Sequence, residues 1–290
     1  MKIQWYPGHM TKARRAMEND VKLVDLVMEL VDARVPLGSR NPDIDRLAGG
    51  KARLVLLNKA DLADPSINRQ WKSYFEKQGI PAVELNARSG SGMKAVQDAI
   101  EAACQKKRER DKRRGILNRP VRAMVVGIPN VGKSTLINSL AKKAAAKTGN
   151  KPGVTKGNQW IRLNQRVELL DTPGILWPRF EDPQVGICLA LIGSVNDEVL
   201  DLGELAAEGI RFLQTDYPGV LAERYGLREE QEPYQILEDI AKVRKCLQKG
   251  GEPDVGKAVR LFLDDFRIGK LGKLSLERPP QETQEEMGTQ

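Results

Sequence analysis

The chain has 290 residues, 40% hydrophobic and 30% charged, so it can form one large or two modest domains with a buried core. Its net charge of +8 favours an anionic partner such as nucleic acid, although a basic enzyme without such a partner has the same composition. The isolated cysteines Cys104, Cys188 and Cys246 argue against a disulfide framework and a zinc site. No apolar run has the length of a membrane span and the N-terminus lacks the apolar core of a signal peptide, so we expect a cytoplasmic location without membrane contact.

The first part of the chain alternates apolar runs with amphipathic stretches, which is typical of a mostly parallel sheet with helices on both faces. A first helix is predicted from Thr11 to about Lys22. The predicted strands span residues 23–31, 53–57 and 80–85, and the predicted helices between and after them span residues 42–47, 65–78 and 92–103. We therefore expect an α/β fold.

The second strand ends in Asn58-Lys-Ala-Asp61, which fits N-K-x-D, the guanine-recognition signature of GTPases. Asp61 can accept hydrogen bonds from the ring N–H and the amino group of guanine, a pattern that adenine lacks. The stem of Lys59 can lie over the base plane, and Asn58 can bind the base and brace neighbouring loops. Alone the tetrapeptide is a weak signal, because Asp61 could equally cap the next helix.

A second loop, Asn86-Ala-Arg-Ser-Gly90, follows the next strand. It resembles the GTPase loop whose backbone amide contacts the guanine carbonyl, so Asn86, Ala87 and Arg88 are predicted guanine-binding residues. By itself this short loop carries little information.

A dense basic run, residues 106–114, separates these loops from the remaining motifs. A contact to RNA phosphates and a solvated helix end both fit this run, and the sequence alone does not separate them.

The segment Gly127-Ile-Pro-Asn-Val-Gly-Lys-Ser134 matches the phosphate-binding loop G-x-x-x-x-G-K-[ST] without a gap. A predicted strand at 122–126 precedes it and an amphipathic helix follows it, which is the context that the motif needs and which disfavours a mere glycine-rich turn. Backbone N–H groups would wrap the phosphates, Lys133 would reach the β- and γ-phosphates, and Ser134 would bind Mg²⁺. The predicted phosphate-binding residues here are Asn130, Val131, Gly132, Lys133, Ser134 and Thr135.

Two further loops resemble the switches of GTPases. Pro152-Gly-Val-Thr155 resembles the first switch, in which a threonine hydroxyl joins Mg²⁺, so Thr155 is a predicted metal ligand. A predicted hairpin, residues 158–163 and 166–170, leads into Asp171-Thr-Pro-Gly174, the D-x-x-G of the second switch. There Asp171 would hold Mg²⁺ through water and the Gly174 N–H would contact the γ-phosphate.

The remainder of the chain has apolar residues at helical spacing. Helices are predicted at residues 185–195, 198–213, 233–248 and 253–266, followed by a basic extension at 266–277 and a polar tail. We expect three parts: a GTPase domain at 1–176, a smaller, mostly helical domain at 177–278, and a disordered tail at 279–290.

The GTPase motifs are complete but occur in a rotated order, with N-K-x-D before the phosphate loop. This is the pattern of circularly permuted GTPases. Within them, Trp5-Tyr-Pro-Gly-His-Met10, residues 32–41, the phosphate loop and residues 266–272 closely resemble the bacterial ribosome biogenesis GTPase A (YlqF-type) family over nearly the whole chain.

The resemblance implies GTP hydrolysis coupled to late assembly of the large (50S) ribosomal subunit, slow in the free protein and stimulated by the subunit. It also implies a C-terminal domain that contacts ribosomal RNA, and we expect a monomer off the ribosome. Two alternatives are a GTP-dependent regulatory or RNA-processing factor with another RNA or protein partner, and a nucleotide-binding module without useful hydrolysis. The intact Lys133, Ser134, Thr155 and Asp171 disfavour the module.

The group that orients the attacking water is not the usual one. Ras-like proteins carry a glutamine after the D-x-x-G glycine, whereas this chain has Ile175 there. The single histidine, His9, is the predicted catalytic residue, because imidazole can hold water with a pKa near neutrality; packing at the N-terminus is the alternative. Asn130 resembles the asparagine that binds K⁺ in potassium-dependent GTPases, although asparagine also favours turns.

Overall fold

The computed structural model describes residues 17–116, 119–148, 159–164, 166–171 and 182–280. The predicted residues His9, Thr155, Gly174 and Ile175 lie outside these ranges, and of Asp171 the structure describes the backbone. The start of the helix predicted from Thr11 and the predicted tail beyond residue 280 also lie outside them.

A six-stranded sheet with the order β3-β2-β1-β4-β6-β5 forms the centre of the first part. All neighbouring pairs are parallel except β5 and β6, which form the antiparallel hairpin predicted from the sequence. The strands are β1 (Leu26–Asp32), β2 (Ala52–Asn58), β3 (Ala82–Glu84), β4 (Val121–Val126), β5 (Gln159–Asn164) and β6 (Val167–Asp171). All seven residues of the central strand β1 are buried, as expected for a parallel strand that is covered on both faces.

Helices cover both faces of this sheet, which confirms the predicted fold class. In the first part they are α1 (residues 17–23), α2 (Ile44–Leu47), α3 (Pro65–Lys77), α4 (Met93–Ala103), α5 (Gln105–Arg113) and α6 (Lys133–Thr148). The C-terminal part contains α7 (Pro183–Leu191), α8 (Leu202–Asp216), α9 (Val220–Tyr225), α10 (Pro233–Val243) and α11 (Val255–Arg267). None of the helices within the described ranges is long and apolar enough to cross a membrane.

Several boundaries differ from the sequence prediction, and two of the differences have a clear physical cause. The first strand begins at Leu26 rather than Leu23, because Leu23 ends α1 with 53% of its surface exposed. Helix α10 ends at Val243 rather than Gln248, since Lys245 adopts a positive φ of 52° that a helix cannot contain. The short helix α9 was not predicted.

The two faces of the sheet have separate apolar cores. Helices α4 and α6 pack on one face, and this core continues without a break into α7, α8, α10 and α11. On the other face α3 buries Trp71 and Phe75 against β1 and β2, while α1 and α2 cover β1 and β4. Apolar packing therefore joins the C-terminal helices directly to the sheet.

The chain after α11 returns to the first part and pairs with it through residues 274–277, which we call the C-terminal strap. The Leu274 N–H donates to the carbonyl of Leu62 at 2.9 Å and the Leu276 N–H donates to the carbonyl of Arg34 at 2.8 Å. The indole N–H of Trp71 donates to the carbonyl of Glu277 at 3.3 Å. The strap thus holds the end of the C-terminal part against the loops that follow β1 and β2.

The side chain of Glu277 completes this attachment. Its two carboxylate oxygens accept hydrogen bonds from the backbone N–H groups of Leu37 and Gly38, both at 2.8 Å. A Cβ atom at Gly38 would lie 2.6 Å from Oε1 of Glu277, so this approach requires glycine. Burial raises the pKa of the Glu277 carboxyl from 4.5 to about 7, although the two N–H groups oppose the shift.

The raised pKa predicts a pH-dependent stability. The folded protein binds this proton more tightly than the unfolded chain does, so the contribution of Glu277 to the free energy of unfolding is largest below pH 4.5 and falls as the pH rises to about 7. Urea unfolding of the parent and of Glu277→Gln at pH 5 and pH 8 measures this change. We expect the parent to lose roughly 1–3 kcal/mol relative to the variant between the two pH values.

The exposed Glu252 provides a matched control, because Glu252→Gln makes the same chemical change at a solvent-facing carboxylate. Its unfolding free energy should follow the parent at both pH values. If Glu277→Gln also follows the parent at a constant offset, Glu277 does not titrate in this range.

Candidate nucleotide-binding site

The phosphate loop connects β4 to the first turn of α6 at the carboxyl edge of the sheet. Its two glycines are required by close approaches. A Cβ atom at Gly127 would lie 2.7 Å from the carbonyl oxygen of Leu30, and one at Gly132 would lie 2.5 Å from Nδ2 of Asn58. Gly132 also has a φ of +99°, a conformation that other residues rarely adopt. The spacing of the motif therefore reflects how tightly this loop is packed against β1 and the end of β2.

Asn58 ties the phosphate loop to both predicted guanine loops. It ends β2 with 3% of its surface exposed. Its Nδ2 donates to the carbonyl of Val131 at 2.7 Å, and its Oδ1 accepts the N–H of Ala87 at 2.9 Å. Both ends of the buried amide are engaged, so Asn58 fixes the separation of the three loops.

Lys59 reaches from the same loop in two directions. Its backbone is left-handed, with a φ of 58°. Its Nζ donates to the carbonyl of Asn130 at 3.1 Å and pairs with Asp32 at 2.9 Å. Both contacts are made by the ammonium group, so the end of the side chain is fixed and the aliphatic stem spans the space between the guanine loop and the phosphate loop.

Asp32 is the buried anion that holds Lys59. It ends β1, directly beside Asn58 in the register of β1 and β2. Arg34 grips the same carboxylate through Nε and Nη2, each at 2.9 Å. Burial by itself would raise the pKa of Asp32, but Arg34 and Lys59 outweigh it and hold this pKa well below its usual value. Asp32 is thus ionised across the physiological range.

Asp61 is presented to solvent at the same edge. The residue that caps α3 is Asp64, whose Oδ1 accepts the N–H of Ser66 at 2.7 Å, so the alternative that Asp61 is the helix cap is excluded. Asp61 is exposed in the short 3-10 turn Ala60–Leu62 and makes no hydrogen bond or ion pair to the described residues. Its carboxylate is accessible to a ligand.

The Asn86–Arg88 loop is held from within and from α6. Oδ1 of Asn86 accepts the N–H groups of Arg88 and Ser89 at 2.8 and 2.9 Å. The Oγ of Ser139 on α6 donates to the carbonyl of Ala87 at 2.7 Å. The loop is therefore fixed to the helix that starts at the phosphate loop.

The predicted metal ligands within the described ranges lie at one edge. Ser134 is exposed in the first turn of α6, and Asp171 ends β6 as the partner of Val125 on β4. Hydroxyl and carboxylate oxygens are the donors that Mg²⁺ prefers. Elsewhere in the part of the chain that the structure covers, no cluster of three His, Cys, Asp or Glu residues has a metal-binding arrangement.

Asn130 has a contact that the sequence did not predict. Its φ is 58°, and its Nδ2 donates at 3.0 Å to the carbonyl of Gly193, which follows α7 in the C-terminal part. This bond turns the amide nitrogen toward Gly193 and leaves Oδ1 as the atom that could bind a cation. No pattern in the sequence indicates this contact.

Asp32 and Arg34 were also not predicted as site residues. In the sequence, residues 32–41 resemble a segment of the family, but neither Asp32 nor Arg34 was given a role. An acid and an arginine directly after a fully buried strand are a signal that was available, because charges in such a position need partners.

Comparisons with known proteins extend over almost the whole chain. A family model described as "50S ribosome-binding GTPase" matches residues 122–200, which begin at β4 and exclude the loops after β2 and β3. "Ribosome biogenesis GTPase A" of Bacillus cereus is 50% identical over 291 residues, covering 100% of this chain and 97% of the relative.

Two solved structures of YlqF are also similar. The GNP-bound protein from T. maritima is 30% identical with a TM-score of 0.67, covering 93% of this chain and 99% of that one. The GDP-bound "TM YlqF" is 30% identical with a TM-score of 0.66, covering 91% and 99%.

Proposed function

We propose that this chain, which belongs to the ribosome biogenesis GTPase A family and hydrolyses GTP, binds the precursor of the large (50S) ribosomal subunit and promotes its late assembly. Its membership of this family makes the chain a ribosome-biogenesis GTPase. The observation that best supports the proposal is the convergence of three loops on Asn58, which joins a phosphate loop to two guanine loops. We propose that the protein acts in the cytoplasm and that it is a monomer when it is not bound to the ribosome.

Each loop has a distinct proposed role. Asp61 accepts hydrogen bonds from the guanine ring N–H and amino group, while the stem of Lys59 lies over the base. The backbone of Asn86, Ala87 and Arg88 contacts the guanine carbonyl. The backbone of residues 130–135 surrounds the phosphates, with Lys133 on the β- and γ-phosphates and the Gly174 N–H on the γ-phosphate.

Two cations complete the proposed site. Ser134, Thr155 and, through water, Asp171 would hold Mg²⁺, and Oδ1 of Asn130 would bind K⁺. When bound, such cations neutralise charge that develops on the phosphates. The protein's own contribution is to fix these oxygens, and the Asn130 amide is already oriented by its bond to Gly193.

Basic surfaces support an RNA partner. Helix α5 exposes most of its basic residues. It lies near the start of β4, at the end of the sheet opposite the phosphate loop, because Lys107 pairs with Asp25 at 3.4 Å and Asp25 accepts the N–H of Arg122 at 3.0 Å. We propose that the helical domain, residues 177–278, contributes further RNA contacts. A polyanion bound through such residues releases counterions, so its affinity depends steeply on salt.

The attacking water needs an orienting group, and we propose His9, because Ile175 has no hydrogen-bonding side chain. His9→Ala should retain GTP affinity and lose subunit-stimulated turnover by about 100-fold or more, the scale of a positioned general base. His9→Gln should retain part of it, because an amide can also hold water. Single-turnover hydrolysis with and without large subunits measures both. Unchanged stimulated turnover in His9→Ala would assign the residue to packing instead.

Binding to the ribosome tests the function itself. We expect the protein to cosediment with large subunits from an assembly-arrested strain in a non-hydrolysable GTP analogue, and much less with GDP, at both low and high salt. A basic surface without specific recognition would bind equally in both nucleotides and dissociate as salt rises. That second result, or preferential binding to another RNA, would contradict the assembly role and favour a regulatory or RNA-processing factor.

A further inference from the structure

We propose that Arg267 is a positioning residue which attaches the C-terminal helices to the phosphate loop and to the guanine loop that contains Lys59. Nucleotide binding and the docking of these helices are therefore linked. The inference rests on the guanine-nucleotide site proposed above and adds a route by which the rest of the protein senses its occupancy. It is carried by a closed set of contacts that begins and ends at Asn130.

Arg267 ends α11 and uses both its side chain and its backbone. Its Nη1 and Nη2 donate to the two carboxylate oxygens of Asp197 at 2.8 and 2.7 Å, which is a bidentate pair. Nη2 also donates to the carbonyl of Ala190 near the end of α7, at 3.0 Å. These hydrogen bonds lower the pKa of Asp197 and fix α11 against the turn that follows α7.

The side chain of Arg267 reaches the phosphate loop through Gly193. A Cβ atom at Gly193 would lie 3.3 Å from both Cδ and Nε of Arg267, so the guanidinium lies directly on the glycine backbone. The Gly193 N–H donates to Ala190, the same residue whose carbonyl Arg267 binds. Gly193 in turn accepts the hydrogen bond from Asn130 at 3.0 Å. Arg267 thereby holds the turn that orients the Asn130 amide.

The backbone of Arg267 reaches the guanine loop through Arg34. The Arg267 carbonyl accepts a hydrogen bond from Nη1 of Arg34 at 3.2 Å. Arg34, only 2% exposed, grips Asp32 with its other two nitrogens, and Asp32 holds the ammonium of Lys59 at 2.9 Å. Lys59 finally donates to the carbonyl of Asn130 at 3.1 Å, which closes the ring.

The ring has a thermodynamic consequence. Breaking one of its buried ion pairs is strongly destabilising, because the remaining charge would be left buried without a partner. A nucleotide that fixes Lys59 and Asn130 therefore favours the docked position of Gly193 and Arg267. By reciprocity, docking of these residues strengthens nucleotide binding by the same factor.

A double-mutant cycle on the full chain tests this link with fluorescent GDP as the probe. The variants are Arg267→Ala, Asn130→Gly and the double variant; glycine is chosen because it tolerates the positive φ of Asn130. We expect each single variant to bind GDP about 3- to 10-fold more weakly. The dissociation constant of the double variant for GDP should lie within about twofold of that of the more weakly binding single variant, because both changes open the same ring.

Two further variants separate positioning from mere packing. Arg260→Ala, an exposed change on the same helix, should bind GDP like the parent. Arg267→Lys, which retains one charged contact to Asp197 but loses the guanidinium fork, should bind with intermediate affinity. Multiplicative losses in the double variant, or unchanged affinity in a folded Arg267→Ala, would overturn the proposal. If the parent itself failed to bind GDP, the proposed function would fail instead.

Discussion

The carboxylate of Asp32 is the constraint on which the rest of this structure depends. It is fully buried at the end of the central strand, and it remains ionised because Arg34 and Lys59 both hold it. Removing one partner of such a group typically costs 3–5 kcal/mol, because a buried charge is left uncompensated. This carboxylate therefore fixes the guanine loop through Lys59 and the C-terminal helices through Arg34.

The rotated order of the motifs connects the nucleotide site to the C-terminal helices through the chain itself. The strands that lead into the two guanine loops come first in the chain. Strand β4, which leads into the phosphate loop, lies at the centre of the sheet, and β6, which ends at the first residue of D-x-x-G, leads on to the C-terminal helices. The second switch is therefore covalently continuous with those helices. The strap and the Arg267 ring attach the same helices to the loops that follow β1 and β2. In our account the C-terminal part is therefore held both at the guanine loop and at the phosphate loop.

The local features of the site were predictable from the sequence, because each follows the end of a strand and carries its own signature. The loops at 58–61, 86–88 and 127–134 lie together at the carboxyl edge of the sheet, as parallel strands require. The strand order was not predicted from the sequence. It is, however, consistent with the rotated motifs once these are placed on a parallel sheet.

The connections between distant parts were not predictable. The bonds from Asn130 to Gly193 and from Arg34 to Arg267 join residues that are 63 and 233 positions apart, and no pattern in the sequence indicates that either pair is in contact. The start of β1 was misplaced for a different reason, since Leu23 continues the apolar run and yet faces solvent at the end of α1. Composition shows that a residue is apolar, but only packing decides which apolar residues are covered.

The central claim, that nucleotide and helix docking are linked, is tested most directly by a distance measurement between the two parts. Cys104, Cys188 and Cys246 are buried, and burial raises the pKa of the Cys104 and Cys188 thiols to about 11 and 12, so spin labels at Ser73→Cys on α3 and Glu238→Cys on α10 should react selectively. We predict a distance distribution that narrows or shifts with GDP and with a GTP analogue, and that stays broad when Arg267→Ala is added. Identical distributions in all nucleotide states, with and without Arg267, would contradict the account.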